Sequence, residues 1–329
     1  MLDFHQILKY DSAPGATAES LKEYWQKALF EPWQEIRERP SKEIRGQVVE
    51  IGWHLAGCPA LDSEDLLFKI SHIIETLHLG SLIVDDIQDD SFERRGRATL
   101  HRLHGLPLAL NLGNFLYFQA LHLVTQLNVS PTYKHAATQQ IAETLRDAHL
   151  GQALDVSVVI DQVDRAKIPK LVETSLRLKS GALMKLSVQL GALLNPEFTR
   201  WSALNSFGEA FGICLQKLDD VGNFCVKGTL EKHLEDLKLR RPTWIWSVLA
   251  QSATEKEWQD FNAAIQYLPE KNQLCHFLES SSLKDTAYKM AVADLEAALS
   301  KLKLNFSLQD TCPAFRLISQ LTERLTHAY

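Results

Sequence analysis

Apolar residues recur along this chain with the period of a helix almost from end to end. Leu66, Ile70, Ile73, Leu77 and Val84 mark one such face, and Leu171, Leu178, Leu183, Leu186 and Leu190 mark another. Alternation with a period of two, bounded by hairpin turns, is scarce, so a sheet-based core is not expected. The breaks "DSAPGAT", "GCPALDSED", "NVSPT" and "LNPEF" are short and fall at the spacing expected between long helices. With 329 residues and 45% apolar side chains, the chain can bury a large core. No repeat, low-complexity tract or long linker divides it. The pattern predicts one all-α domain over residues 1–329, a broad helical bundle above the usual domain size.

The net charge of −6 argues against a general nucleic-acid-binding surface, which needs clustered excess Lys and Arg. The five cysteines, Cys58, Cys214, Cys225, Cys275 and Cys312, are scattered and show neither C-x-x-C nor metal-ligand spacing. A reducing, cytoplasmic setting is the expectation. The N-terminus "MLDFHQILKYD" lacks the pattern of a signal peptide. The most apolar window, "GLPLALNLGNFLYFQALHLV", contains Asn111, Asn114, Gln119 and His122, which points to a buried helix rather than a membrane span.

Chemistry concentrates in "HLGSLIVDDIQDDSFERRGR", where an apolar run ends in four aspartates followed by arginines. On a helix the carboxylates of Asp85 and Asp89, four residues apart, point the same way, with Asp86 and Asp90 about 100° round. Stacked like charges repel, and a hard divalent cation is one compensation: Mg²⁺ takes one or two carboxylates plus water and phosphate oxygens. The alternative is a solvated acidic helix end. A second cluster in "FGICLQKLDDVGNF" again closes an apolar helix with Asp219 and Asp220, and Asn223 follows four residues after Asp219. Two matched clusters facing each other could clamp a diphosphate through shared Mg²⁺.

Cations accompany both. Arg94, Arg95 and Arg97 follow the first cluster. "RPSKEIRG" offers Lys42 and Arg45 three residues apart, read as one helical face. Lys179, Arg240 and Arg241 lie further on. Each alone reads as a surface residue; together, acids for metal and bases for phosphate describe a site for two anionic substrates.

These residues resemble a family, the trans-isoprenyl diphosphate synthases, and most of all the eukaryotic-type geranylgeranyl diphosphate synthases. The resemblance covers roughly residues 35 to 250 and is carried, in the family's order, by "PSKEIRG", "ETLHLGSLIVDDIQDDSFERRG", "NLGNFLYF", "HLGQALD", "LKSGALM", "LQKLDDVGN" and "EDLKLRRPT". It implies a single-domain helical bundle with a central substrate cavity. Asp85 and Asp89 would bind Mg²⁺ with Asp86 supporting, and Asp219 would bind it from the opposite helix. Arg94, Lys179, Gln216 and Arg241 would surround the allylic diphosphate, with Ser180 where Thr is usual. Lys42, Arg45, His78 and Arg95 would grip isopentenyl diphosphate, and Gln152 and Asp155 would line the same cavity. The chain departs from the commonest pattern at Asn223, at Arg241 beside Arg240, and at Trp244 and Trp246.

The reaction implied is condensation of isopentenyl diphosphate with an allylic diphosphate through Mg²⁺-assisted ionisation, giving a trans product five carbons longer. In the subfamily the cavity floor matches Tyr117, Phe118 and His149; bulk at all three positions favours a C20 product, although "YF" reads equally well as core packing. A homodimer without nucleic acid or a membrane span is expected. Two other readings stand beside this one. The first is a terpene cyclase on the same scaffold, in which Trp244 and Trp246 could stabilise cations. The second is a non-catalytic partner subunit, which would be expected to lose carboxylates that this chain keeps.

Overall fold

The periodic segments are helices in the computed structural model, which describes residues 21, 23–58, 64–224, 234–268, 270 and 272–326. Cys225 and the break "DSAPGAT" lie outside the described residues. The α-helices of more than one turn are α1 Glu31–Arg37, α2 Ile44–Leu55, α3 Glu64–Gln88, α4 Leu100–His104, α5 Leu106–Gln126, α6 Pro131–Ser157, α7 Ile168–Leu176, α8 Ala182–Ala192, α9 Trp201–Asn223, α10 Trp244–Ser252, α11 Glu255–Ile265, α12 Asn272–Ser280, α13 Leu283–Phe306 and α14 Pro313–Thr326, and a single helical turn, Glu235–Lys238, precedes α10. Strand structure among the described residues is one hairpin, β1 Glu93–Arg94 against β2 Arg97–Ala98. The fold class is all-α, as the periodicity predicts.

The chain forms two compact units, one of Met1–Lys42 with Thr76–Ala120 and one of Glu43–Glu75 with Leu121–Tyr329. The sequence, with no linker, predicts a single domain. The boundary between the two units falls inside α3 and α5 rather than at a loop.

In the first unit, Trp33 and Ile36 of α1 pack with Ile83 of α3, Leu100 of α4 and Ala109, Leu112 and Leu116 of α5. Burial of this kind contributes about 25 cal/mol per Å² of apolar surface. The 4-residue spacing of Leu112 and Leu116 gives α5 its inner face, so the window richest in apolar residues is a half-buried helix.

The second unit holds two cores. Val48 and Ile51 of α2, Met184 and Val188 of α8, Phe207 and Phe211 of α9, Leu295 of α13 and Leu321 of α14 form one. Ile168 and Val172 of α7 join Trp246 of α10, Phe261 of α11, Phe277 of α12 and Leu283 of α13 in the other. By length and composition Asp65–Gln88, within α3, could cross a membrane; it carries the first acidic cluster at its end.

Candidate active site

In the first unit the acidic motif closes α3. Asp89 lies one residue past the helix, yet its N–H still donates to the Asp85 carbonyl at 2.9 Å, so the two carboxylates stay one turn apart. Their surroundings separate the neighbouring acids. Asp85 is half-buried, whereas the Asp86 side chain is 2% exposed and its Oδ1 accepts from Arg94 Nε at 2.6 Å. Arg94 Nη2 also lies 3.6 Å from Asp85 Oδ2. Burial disfavours the Arg94 charge, but Asp86 and then Asp85 outweigh it and hold the guanidinium above its usual value.

Arg94 and Arg95 ride on the hairpin. Its two-residue turn, Arg95-Gly96, has φ of 56° and 78°, the pattern of a type I′ turn. The neck is closed by Thr99, whose N–H donates to the Phe92 carbonyl at 3.1 Å and whose Oγ1 donates to the Ser91 carbonyl at 2.7 Å. Arg102 stacks over the Phe92 ring at 4.1 Å and donates to Asp90 Oδ1. The loop bearing the arginines is therefore tied at both ends.

Further back along α3, Ser81 Oγ donates to the His78 carbonyl at 2.7 Å. Gly80 lets the Tyr117 ring come close: a Cβ there would lie 3.3 Å from Tyr117 Cδ1. Burial, with a further push from the Asp85 charge, raises the Tyr117 hydroxyl to about 12. Tyr117, one of the three expected floor residues, thus packs against α3 at Gly80, where its hydroxyl feels the Asp85 charge. The other two face outward. Phe118 is 71% exposed and His149 is exposed, so neither closes a buried cavity of its own unit. Their helices turn these positions outward, which the sequence "YF" cannot show.

In the second unit several predicted residues meet. Lys179 Nζ pairs with Asp155 Oδ2 at 2.5 Å, and Arg241 Nη1 donates to the Asp155 carbonyl at 3.0 Å. Arg240 turns away to Asp161 Oδ2 at 3.2 Å, so of the two adjacent arginines Arg241 joins Lys179. Lys179 and Ser180 lie in a π-helical turn, Arg177–Gly181, between α7 and α8. Two glycines let neighbouring helices close on it. A Cβ on Gly151 of α6 would lie 2.8 Å from Leu178 Cβ, and one on Gly212 of α9 would lie 2.4 Å from the Ser180 carbonyl. Gln152, also on α6, is half-buried.

From Ser180 a hydrogen-bond chain leads to the second acidic motif. Ser180 Oγ donates to Gln216 Oε1 at 2.8 Å, Gln216 Nε2 donates to Asp220 Oδ1 at 3.0 Å, and the Trp244 N–H donates to Asp220 Oδ2 at 2.7 Å. Asp220 is buried, with no cation on it among the described residues. Burial, and then the Asp236 charge, push its carboxyl up to about 8 against the pull of these donors. Asp219 beside it is half-buried. Asn223 ends α9.

Three further readings change. Lys42 and Arg45 do not share a helical face: Lys42 precedes α2, and Glu43 at φ 45° breaks the chain direction between them. Lys42 also belongs to the first unit and Arg45 to the second. Trp244 and Trp246 are core residues. Trp246 packs edge-on to Phe261 at 5.1 Å, while the Trp244 face is covered by Lys217 Nζ at 3.9 Å. Sequence reasoning missed Arg39, Asp236 and the backbone donor at Trp244; "EDLKLRRPT" contains Asp236, but no spacing marks it as a neighbour of Asp220.

Among the described residues, no three His, Cys, Asp or Glu side chains are gathered to hold a metal by themselves. The donors present are hard carboxylates, two of them one turn apart and Asp85 half-exposed. That set fits Mg²⁺ completed by water and phosphate oxygens rather than a soft ion in a protein cage. Asp86, committed to Arg94, fits as a supporting group.

The model of the polyprenyl synthetase family matches residues 26–278. Preasperterpenoid A synthase PvPS of Talaromyces verruculosus is 31% identical over 205 residues, 62% of this chain and 25% of that protein. Geranylgeranyl pyrophosphate synthase penG of Penicillium ochrochloron is 34% identical over 193 residues, 59% of this chain and 50% of that protein. The matches therefore span a quarter to a half of these relatives' own length. A solved polyprenyl synthase of Caulobacter crescentus CB15, complexed with calcium and isoprenyl diphosphate, shares the fold: the TM-score is 0.72 at 18% identity, over 98% of this chain and 92% of that one.

Proposed function

The chain belongs to the polyprenyl synthetase family, and from that premise we propose that it is a trans-prenyltransferase that condenses isopentenyl diphosphate with an allylic diphosphate. The observation that carries the reading is the end of α3: half-exposed Asp85, with Asp89 one turn on, stands beside a buried Arg94–Asp86 pair. Fixed carboxylates next to a fixed cation suit a metal-bound diphosphate.

In this reading Asp85 and Asp89 in the first unit, and Asp219 in the second, would each serve as Mg²⁺ ligands, and the bound metal would neutralise charge on the departing diphosphate. The proposed contacts for the allylic diphosphate are Arg94 in the first unit and Lys179 and Arg241 in the second. Ser180 and Gln216 act one step back, through the chain that ends on Asp220. Those proposed for isopentenyl diphosphate are Lys42, His78 and Arg95 in the first unit and Arg45 in the second. The allylic C–O bond breaks to give an allyl cation and free diphosphate, the double bond of isopentenyl diphosphate attacks the cation, and the released diphosphate takes the proton whose loss leaves a trans double bond. Half-buried Tyr117 is the proposed floor residue, and a C20 product is the proposed outcome.

A homodimer is part of the proposal. Leu106, Leu110 and Phe118 are exposed apolar side chains of α5 that a second copy would cover. The free thiols Cys58, Cys214, Cys275 and Cys312 support a cytoplasmic setting.

A second reading, cyclisation of a prenyl diphosphate, is favoured by the name of the Talaromyces relative. Against it, Trp244 and Trp246 are spent on packing and present no free face to a cation. The test is product analysis with Mg²⁺, isopentenyl diphosphate and C5, C10 and C15 allylic primers. A linear diphosphate supports the synthase, and its mass gives the chain length. Hydrocarbon formed without isopentenyl diphosphate points to the cyclase instead.

A further inference from the structure

Arg94 and Arg95, assigned above to the two diphosphates, sit on a hairpin whose strands are two residues each, too short to hold their own shape. Something outside the hairpin must fix them. Arg39, just beyond α1 in the same unit, is 2% exposed. Its Nη1 donates to the Arg94 carbonyl at 3.1 Å and its Nη2 to the Ala98 carbonyl at 2.7 Å, one contact on each strand. Nη2 also reaches Glu35 Oε1 at 2.9 Å, and Glu35 Oε2 lies 3.1 Å from His104 Nε2. The guanidinium is thus backed by a carboxylate that is itself held.

Packing alone does not account for this arrangement. A buried cation is unfavourable without a partner, and an apolar side chain of similar length would fill the volume without that penalty. The turn gives a second, independent sign. Arg95 lies at φ 56°, in the left-handed region that Asn or Gly adopts readily and Arg does not. The hairpin must impose that conformation on Arg95, and the two-strand tie is the means.

We propose that Arg39 is a positioning residue, a guanidinium fork backed by Glu35 and His104 that holds the hairpin so that Arg94 and Arg95 meet diphosphate oxygens already ordered. This rests on the prenyltransferase reading. Its chemical basis is preorganisation: a loop fixed before binding does not lose its freedom on binding. Lysine cannot replace the fork, because one ammonium does not span two carbonyls and a carboxylate in fixed geometry.

The test compares Arg39→Lys with wild type and with Leu100→Val, a core change in the same unit chosen to match its loss of thermal stability. Two quantities are read: hydrogen exchange of the amides of residues 92–99, with and without Mg²⁺ and inorganic diphosphate, and the split between KM and kcat. In Arg39→Lys, hairpin exchange rises by about tenfold and KM for the diphosphate substrates by about tenfold, with kcat changed less than about threefold. Leu100→Val moves neither. Unchanged exchange, or faster exchange with unchanged KM, overturns the proposal. If Arg39→Lys does not fold, Glu35→Gln is used; it weakens the backing, shifts both quantities in the same direction by about threefold, and overturns the proposal if it shifts neither. A wild-type protein that binds inorganic diphosphate at the hairpin yet extends no primer sinks the prenyltransferase reading instead, and exchange in Arg39→Lys then still decides whether the anchor exists.

Discussion

The two acidic segments look alike as sequence, each an apolar helix ending in adjacent aspartates, but the fold treats them differently. In both, the first acid of the pair is half-buried and the second is buried: Asp85 and Asp86 on α3, Asp219 and Asp220 on α9. The buried acids are then satisfied in opposite ways. Asp86 is given a cation, Arg94, at 2.6 Å. Asp220 is given neutral donors, Gln216 and the Trp244 N–H, and its carboxyl is pushed up to about 8. A buried carboxylate needs either a counter-charge or a proton, and the choice is set by what the rest of the chain delivers. The half-buried acid of each pair is the one that the proposed function assigns to metal.

The largest break in this comparison comes from Asp86→Asn. It leaves the Arg94 guanidinium partly buried without its main partner, and loss of one half of a buried pair costs about 3–5 kcal/mol. Thermal or urea unfolding of the variant checks this. A loss below about 1 kcal/mol means that Asp85 alone carries Arg94.

Next in size is Gly212→Ala, which tests the second segment's approach to the π-helical turn. The new methyl would meet the Ser180 carbonyl at 2.4 Å, backbone that cannot step aside, and overpacking of this kind costs about 1–3 kcal/mol. Turnover falls with it, since Ser180, Gln216 and Asp220 lie on one chain of hydrogen bonds. Full stability and full turnover would show that α9 can slide.

The smallest effect sharpens the contrast through pH. Asp220 binds its proton more tightly folded than unfolded, its value rising from the usual 3.8 to about 8. Its contribution to stability is therefore complete below about pH 4 and is lost as pH rises towards 8. Asp220→Asn removes that titration. It costs about 1 kcal/mol at pH 5, through one imperfect hydrogen bond; wild type then loses stability as pH rises while the variant does not, so the gap closes and by pH 8 the variant is the more stable. A gap that stays constant between pH 5 and pH 8 would mean that Asp220 is charged in the folded protein. The same substitution at position 86 shows no such convergence.

Much of this was legible beforehand. Helical periodicity gave the fold class, and paired acids at the ends of apolar runs marked the segments that matter. Motif order also brought Asp155, Lys179 and Arg241 into one list, and they meet in the structure. Burial was not legible. Nothing in "DDIQDD" says that Asp86 faces inward, because neighbouring residues on a helix differ by about 100° and the core side depends on α1 and α5. The outward turn of Phe118 and His149 was hidden for the same reason. Lys42 was misread because Glu43 adopts φ 45°, a choice that an Arg- and Lys-rich stretch does not advertise. No sequence signal singled out Arg39, and only its two distant carbonyl partners reveal its place.

The most direct test of the central claim follows labelled isopentenyl diphosphate in wild type and in Asp85→Asn side by side, with Mg²⁺ present and each variant's unfolding temperature recorded. The account predicts that wild type adds labelled five-carbon units to an allylic primer. In Asp85→Asn incorporation falls by roughly 10³-fold with little change in unfolding temperature, because a half-exposed metal ligand is lost and no buried pair is broken. Undiminished incorporation in a folded Asp85→Asn protein would contradict it.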